Sequence, residues 1–353
     1  MTIPTMEGIT AKTVTTDRLR TRVLFSGPED GAAVLFVHGN LASATYWEEV
    51  MLALPEGFRV IAPDQRCYGD ADPDAKIDAT RGMSDFSDDL VALLDHLRIE
   101  RAHIVGHSLG GAVVWRLMAD APDRLLTVTQ IAPGPPFGVG GTKDEQGTPC
   151  YSDYAGSGAG LVNPQLVEGI GTNYRGSVGV VAPRNVLNAA VWKPPFKPAR
   201  EEALLSAMLA THIGLYDYPG DVVQSENWPG FAPGVYGPNN AISPKYGTDP
   251  ARLYAIERKP AVLWVRGADD PVVADSAGGD MAVLGAAGVI PGWPGMDVYP
   301  PQPMLRQIRH VLETYADHGG SYEEVIIADA GHSPYLEKPD EFNAVFHRHI
   351  GAG

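Results

Sequence analysis

The stretch HIVGHSLGGAVVWRLM, His103 to Met118, brackets Ser108 with Gly106 and Gly110 and sets it between a strand-like and a helix-like run. Glycines two residues to either side permit a turn too tight for Cβ atoms. Such a turn lifts the serine above a sheet edge at a helix N-terminus, where free N–H groups favour negative charge. A serine hydroxyl attacks only when a base takes its proton. Of the ten histidines, His332 in VIIADAGHSPYLEKPDEF follows the last strand-like run and precedes a helix starting near Pro339, so it can reach the same edge. His96, His212, His310, His318, His347 and His349 fall in or beside amphipathic helices and suit solvated positions, and His103 opens a strand. The elbow turns His107 away from Ser108, which leaves it a candidate for lining a substrate pocket rather than for the base.

An imidazole base needs an orienting carboxylate. The run ending at Ile131 continues as APGPPFGVGG, with no carboxylate before Asp144, whereas AVLWVRGADDPVV ends in Asp269 and Asp270 before Pro271. Asp270 is the expected acid and Asp269 the alternative, although two aspartates before proline also suit a plain turn. Attack on a carbonyl creates an oxyanion that requires N–H donors. Leu109, directly after the serine, supplies one, and Asn40, in the loop after AVLFVHGN, is the expected second. His38 in that loop is expected to serve as a structural hydrogen-bonding residue.

The elements that must carry these groups are short runs rich in β-branched residues: Ala33 to Val37, Phe58 to Ala62, Ala102 to Val105, Leu126 to Ile131, Ala261 to Val265 and Val325 to Ala328. Continuously apolar strands belong to a parallel sheet covered on both faces. Between them, Asp85 to Leu97 places Phe86, Leu90, Leu93, Leu94 and Leu97 on one helical stripe behind a cap at Ser84. The expectation is an α/β fold, a mostly parallel sheet with helices on both faces, with Ile9 to Val14 and Leu19 to Phe25 forming an antiparallel hairpin at its edge. The chain order Ser108, Asp270, His332 is the one expected of a triad on that architecture.

The rhythm breaks from 134 to 257, where Pro, Gly and aromatics crowd together and only one helix, about Ala199 to His212, is credible. Trp192, Phe196, Trp228, Phe231 and Tyr236 carry more apolar surface than a disordered linker, so the segment reads as a cap. The core is then 1–133 and 258–353, with a second irregular insertion at about 275–303 before an amphipathic helix at Met304 to His318. Phe137, Trp192 and Trp228, with His107, are the candidates for the substrate pocket wall.

Composition narrows the partners. Lys and Arg number 27 against 43 Asp and Glu, a formal charge of -16 that repels nucleic acid and anionic membranes. Cys67 and Cys150, the two cysteines, lack the spacing of a disulfide framework or a zinc site. The first residues show no basic segment leading into an apolar run, and no stretch suits a bilayer span, so a cytoplasmic location is expected. No metal or organic cofactor is called for. The expected partner is a small-molecule substrate, and oligomeric state is not readable.

FVHGN at Phe36 to Asn40, VIAPDQRCYGDAD at Val60 to Asp72, VGHSLGG at Val105 to Gly111, GADDPVV at Gly267 to Val273 and AGHSPYLEKPDEF at Ala330 to Phe342 together resemble the α/β-hydrolase superfamily. The resemblance is to the group built like epoxide hydrolases, haloalkane dehalogenases and carbon-carbon bond hydrolases, and it frames nearly the whole chain outside the two insertions. Epoxide hydrolases and dehalogenases place aspartate at the elbow, so Ser108 argues against both activities. Leu109 speaks against proline iminopeptidases, which usually carry tryptophan there. Cys67 stands where the family often has glycine, and Asp64 and Arg66 look structural.

The resemblance implies acyl transfer to water through an acyl-enzyme, and the aromatic, proline-rich cap implies a mainly apolar pocket. A carboxylic ester or lactone with a hydrophobic part is the leading expectation. Carbon-carbon hydrolysis of a keto acid is an alternative that needs a cation for the substrate carboxylate, for which Arg175, Arg184 and Arg200 are the candidates. A weakly catalytic small-molecule receptor and a cofactor-free oxygenase are further readings on the same fold.

Overall fold

Alternate residues of the buried strands supply opposite faces of one sheet. The computed structural model describes residues 3–351. Its main sheet has eight strands: β1 (Thr10–Thr15), β2 (Arg20–Ser26), β3 (Ala32–Val37), β4 (Phe58–Pro63), β5 (Ala102–His107), β6 (Leu125–Ile131), β7 (Ala261–Gly267) and β8 (Tyr322–Ile327). Their spatial order is β1-β2-β4-β3-β5-β6-β7-β8. β2 runs antiparallel to both β1 and β4, and the remaining neighbours are parallel. The edge hairpin and the six apolar runs therefore lie where the residue pattern places them.

Along β3, Ala33, Leu35 and Val37 enter one core cluster while Val34 and Phe36 enter the other. β7 divides likewise, Val262 and Trp264 against Leu263 and Val265. This is the period-2 alternation of a strand buried on both sides. Helices Ser84–His96, Leu109–Asp120 and Met304–Asp317 cover the first face with Phe86, Leu90, Val113, Leu117, Ile308 and Val311. Helices Glu48–Ala53 and Pro339–Gly351 cover the second with Val50, Met51, Phe342, Phe346 and Ile350. Ser84 is the first residue of its helix rather than the cap; Met83 holds the cap position with no side-chain bond. Asp78, whose carboxylate caps the short turn Ala79–Arg81, is the residue that begins the local helical structure.

Between β6 and β7, residues 132–260 contain helices Pro164–Gly171 and Glu201–Leu209 and several of four or five residues. The second of these is shorter than the 199–212 pattern at both ends, because Arg200 and Ala210 leave helical geometry. The insertion after β7 holds a short helix, Met281–Ala286. It packs on the cap: Tyr299 donates from its hydroxyl to Gly156 O at 3.1 Å, and Gln302 Nε2 donates to Gly138 O at 2.9 Å while its Oε1 accepts from Gly140 N–H at 2.7 Å. Among the described residues no helix is long and apolar enough to cross a membrane.

Candidate active site

β5 ends at His107 and the next helix begins at Leu109, so Ser108 alone makes the reversal. It does so at φ 54° and ψ −119°, a conformation that costs a non-glycine residue about 1–3 kcal/mol. A Cβ added at Gly106 would lie 2.6 Å from Gly110 O and 2.7 Å from Val114 Cγ2. One added at Gly110 would collide with the carbonyls of Val37 and His38. The two glycines are thus required by close backbone approach.

The loops after β7 and β8 bring Asp270 and His332 together. His332 Nδ1 lies 2.9 Å from Asp270 Oδ2, and both residues are buried. Asp270 Oδ1 accepts N–H bonds from Val272 at 2.8 Å and Val273 at 3.1 Å, which pins the carboxylate. A proton held on Nδ1 by that carboxylate leaves Nε2 with a free lone pair. Asp269 is exposed and pairs with Lys193 Nζ at 3.0 Å. Among the described residues Ser108 and the His332 ring make no hydrogen bond, a distance that often closes only when substrate is bound.

Two side chains brace the His332 loop. His107 Nε2 donates to His332 O at 2.9 Å, and the two rings are 4.7 Å apart. Burial, with the His332 imidazole beside it, holds His107 well below the usual histidine range, so it is neutral. Glu337 accepts the Gly331 N–H on both carboxylate oxygens, each at 2.9 Å, and the Lys193 N–H of the cap at 2.8 Å.

On the other side of Ser108, a Cβ added at Gly39 would sit 3.0 Å from Ser108 Cβ, so the loop after β3 presses on the serine. Leu109, as the first residue of its helix, has no intrahelical acceptor for its N–H. The Asn40 N–H has no protein acceptor among the described residues. The Asn40 side chain is held within a network: Oδ1 accepts from Leu41 N–H at 3.1 Å and Tyr68 O–H at 2.6 Å, and Nδ2 donates to Asn239 Oδ1 at 3.2 Å. His38 donates from Nδ1 to Gly39 O at 2.8 Å and accepts the Gln65 N–H at Nε2, 3.0 Å. Burial lowers it to about 4, in keeping with a neutral brace. Asp64 accepts N–H bonds from Ala44 and Asp70, and Arg66 forks onto Asp89 at 2.9 and 2.8 Å, so both hold loops. Cys67 occupies φ 77°, the left-handed region in which glycine would be unstrained.

A cavity of about 570 Å³ opens between the cap and the loop that carries Asp270. Val139, Leu166, Val186, Val272 and Met281 line it, Asn163, Asn185 and Asn239 add amides, Asp280 adds a carboxylate, and no cation stands among these residues. The four side chains offered from sequence as pocket wall are not among the residues that line this cavity, and neither are Ser108, Asp270 and His332. Trp192 is wholly buried, donating to Asn188 Oδ1 at 3.1 Å, and His107 is buried beside Trp47 and Tyr335. Trp228 packs on Tyr299 and donates to Pro291 O at 2.9 Å, while Phe137 lies against Gly147. Trp192, Trp228 and Phe137 are large enough to consolidate the cap, whereas His107 is buried within the core. The candidate cations are also engaged: Arg175 with Glu202, Arg184 with Glu201 and Glu202, and Arg200 with the buried Glu48. Asn239 and Glu337 were not singled out from sequence. Glu337 stands within a quoted motif, but nothing local marks Asn239, whose partner is 199 residues away.

A family model described as alpha/beta hydrolase fold matches residues 32–157. The AB hydrolase superfamily protein YfhM of Bacillus subtilis (strain 168) is 35% identical over 121 residues, 34% of this chain and 42% of that protein. Carboxylesterase YbfK of the same organism is 31% identical over 118 residues, 33% of this chain and 39% of its own. These matches therefore span about two fifths of each curated relative. In the crystal structure of carboxylesterase CesB (YbfK) the likeness extends to 98% of this chain and 92% of that one, with a TM-score of 0.58 and 19% identity. The esterase RhEst1 from Rhodococcus sp. ECU1013 gives a TM-score of 0.61 and 18% identity, covering 98% of both chains. The structures share the fold.

Proposed function

We propose that the chain, which shares the α/β-hydrolase fold with the proteins it resembles, is a serine hydrolase cleaving a carboxylic ester or lactone of a mainly hydrophobic small molecule. The observation that carries the reading is the buried His332–Asp270 pair, 2.9 Å apart, whose loop is held by His107, the residue directly before a serine at φ 54° on a strand-to-helix turn. Ser108 Oγ attacks the carbonyl carbon as His332 Nε2 takes its proton. Asp270, fixed by two backbone N–H groups, keeps the other ring proton on Nδ1 and stabilises the imidazolium. The N–H groups of Leu109 and Asn40 receive the oxyanion; one such donor is worth about 2.7–4 kcal/mol in the transition state. His332 then returns the proton to the leaving oxygen, and water, activated by the same ring, releases the acid.

The largely apolar cavity beside Val272 supports a hydrophobic substrate, and the Asp280 carboxylate in its wall disfavours an anionic one. With Arg175, Arg184 and Arg200 each held by carboxylates, the keto-acid alternative gains no support. Carboxylesterase YbfK, similar in sequence over part of its length and in fold throughout, agrees with an esterase reading.

The test is turnover of p-nitrophenyl acyl esters of increasing chain length by wild type and Ser108→Ala, with a fluorophosphonate probe alongside. The expected result is a loss of at least about 10⁴-fold in kcat and complete loss of labelling in the variant. Labelling or turnover that survives the substitution would show that Ser108 is not the nucleophile.

A further inference from the structure

Resting on the serine-hydrolase reading, we propose that Asn239 is a specificity-determining residue whose free amide N–H₂ selects substrates carrying a hydrogen-bond acceptor oxygen near the scissile carbonyl. The argument is a chain of donors with one end left over. The Leu41 N–H can only donate, so the Asn40 atom it meets at 3.1 Å is the oxygen, which also receives the Tyr68 hydroxyl at 2.6 Å. The other end of the Asn40 amide is then N–H₂, and it donates to the Asn239 atom 3.2 Å away, which must be Oδ1. That assignment leaves Asn239 with Nδ2, a pure donor. Nδ2 has no protein partner among the described residues, and Asn239 lines the cavity.

Its place is one hydrogen bond from the loop that borders Ser108. Asn40 follows Gly39, which presses on Ser108, and Asn239 sits on the short helix Pro238–Ala241. Ile242, at the end of that helix, lies over Gly134, where an added Cβ would be 2.9 Å from Ile242 Cδ1; the Gly134 N–H donates to Ser108 O at 2.9 Å. Asn163, Asn185 and Asp280 also stand in the largely apolar wall, but Asn239 is the amide anchored to the loop that borders the serine, and a donor there distinguishes an ether, ester or keto oxygen from a methylene in the same position. The reason is that a bound methylene leaves the donor without an acceptor, whereas an oxygen replaces the water it lost.

The experiment compares p-nitrophenyl esters of straight-chain acids with analogues in which an oxygen replaces each successive CH₂ beyond the α carbon, together with alkyl and oxa-alkyl alcohol esters of one acid. The intrinsic reactivity of each ester cancels when the oxa/alkyl ratio of kcat/KM in wild type is divided by that in Asn239→Asp. Aspartate still accepts from Asn40 but presents an acceptor to the cavity. Asn239→Leu removes the donor by another route should aspartate disturb the fold, and thermal melts report on both. The expected result is an oxygen position at which the quotient is about tenfold. A quotient within twofold at every position, in folded variants, overturns the proposal. Calorimetric binding of the matching unreactive ethers and hydrocarbons reads the same preference without chemistry. Failure of Ser108 as nucleophile and failure of Asn239 as selector are therefore separately visible.

Discussion

Ser108 spends stability on exposure. Its left-handed backbone conformation has a steric cost that glycine would not incur, and in the proposed reaction the hydroxyl it lifts is the nucleophile. Ser108→Gly is expected to raise the unfolding free energy by about 1 kcal/mol, the relieved strain less the larger chain entropy of glycine, while abolishing turnover. Urea unfolding of the two proteins checks it, and a less stable glycine variant would count against strain at this position. The turn at Ser108 and the pairing of His332 with Asp270 were readable from the chain because each is flagged locally: a glycine bracket, and two loops that directly follow apolar strands. Asn239 and Glu337 were not, because what they do depends on partners the local pattern does not name. The preference for Asp270 over Asp269 could be stated but not decided from adjacent identical residues. Geometry separates them, one pinned by two N–H groups and the other paired with an exposed lysine.

At the scale of elements, the His332 loop is held by the four-residue helix Pro334–Glu337 that follows it. Glu337 closes the loop onto Gly331 and ties in cap residue Lys193, whose ammonium also spans Asp269 and Asp329. Removing a buried carboxylate that accepts backbone N–H groups of two segments costs about 3 kcal/mol. Glu337→Ala is expected to lower the melting temperature by several degrees and to reduce kcat more than tenfold with little change in KM, because the base rather than the cavity is loosened. A lowered melting temperature with unchanged kcat would make the contact structural alone. The elements themselves were legible in proportion to their regularity. β3, β5 and β7 alternate their residues between two covered faces, and Met304–Asp317 carries a clear apolar stripe. The cap has no such period: its helices are four to nine residues long, so Trp192 and Trp228 were visible as apolar mass but not as to which side they face.

For the molecule as a whole, several histidines lie in the interior uncharged. Burial lowers His38 and His103 to about 4 and holds His107 well below the usual histidine range. An unfolded chain takes up these protons near pH 6.5, whereas the native state refuses them until about 4. The stability they allow is complete above pH 6.5 and is lost as pH falls through that window. At pH 5 the loss is about 2 kcal/mol for each of His38 and His103. Unfolding free energies at pH 7 and pH 5 should differ by about 4 kcal/mol or more. His38→Gln should narrow the difference by about 2, and an undiminished difference in the variant would assign the acid sensitivity to other groups.

The cavity wall comes from two separate stretches of chain that hold one another. Gln302, from the insertion after β7, is buried against Gly138 and Gly140 of the cap, and Tyr299 reaches the carbonyl of Gly156. Each would be left with an unsatisfied polar group, at about 1–3 kcal/mol apiece, if its opposite segment were exchanged alone. In terms of inheritance, the pocket is a two-part cassette. Recombination or grafting that brings in a new cap has to bring its companion from more than a hundred residues downstream.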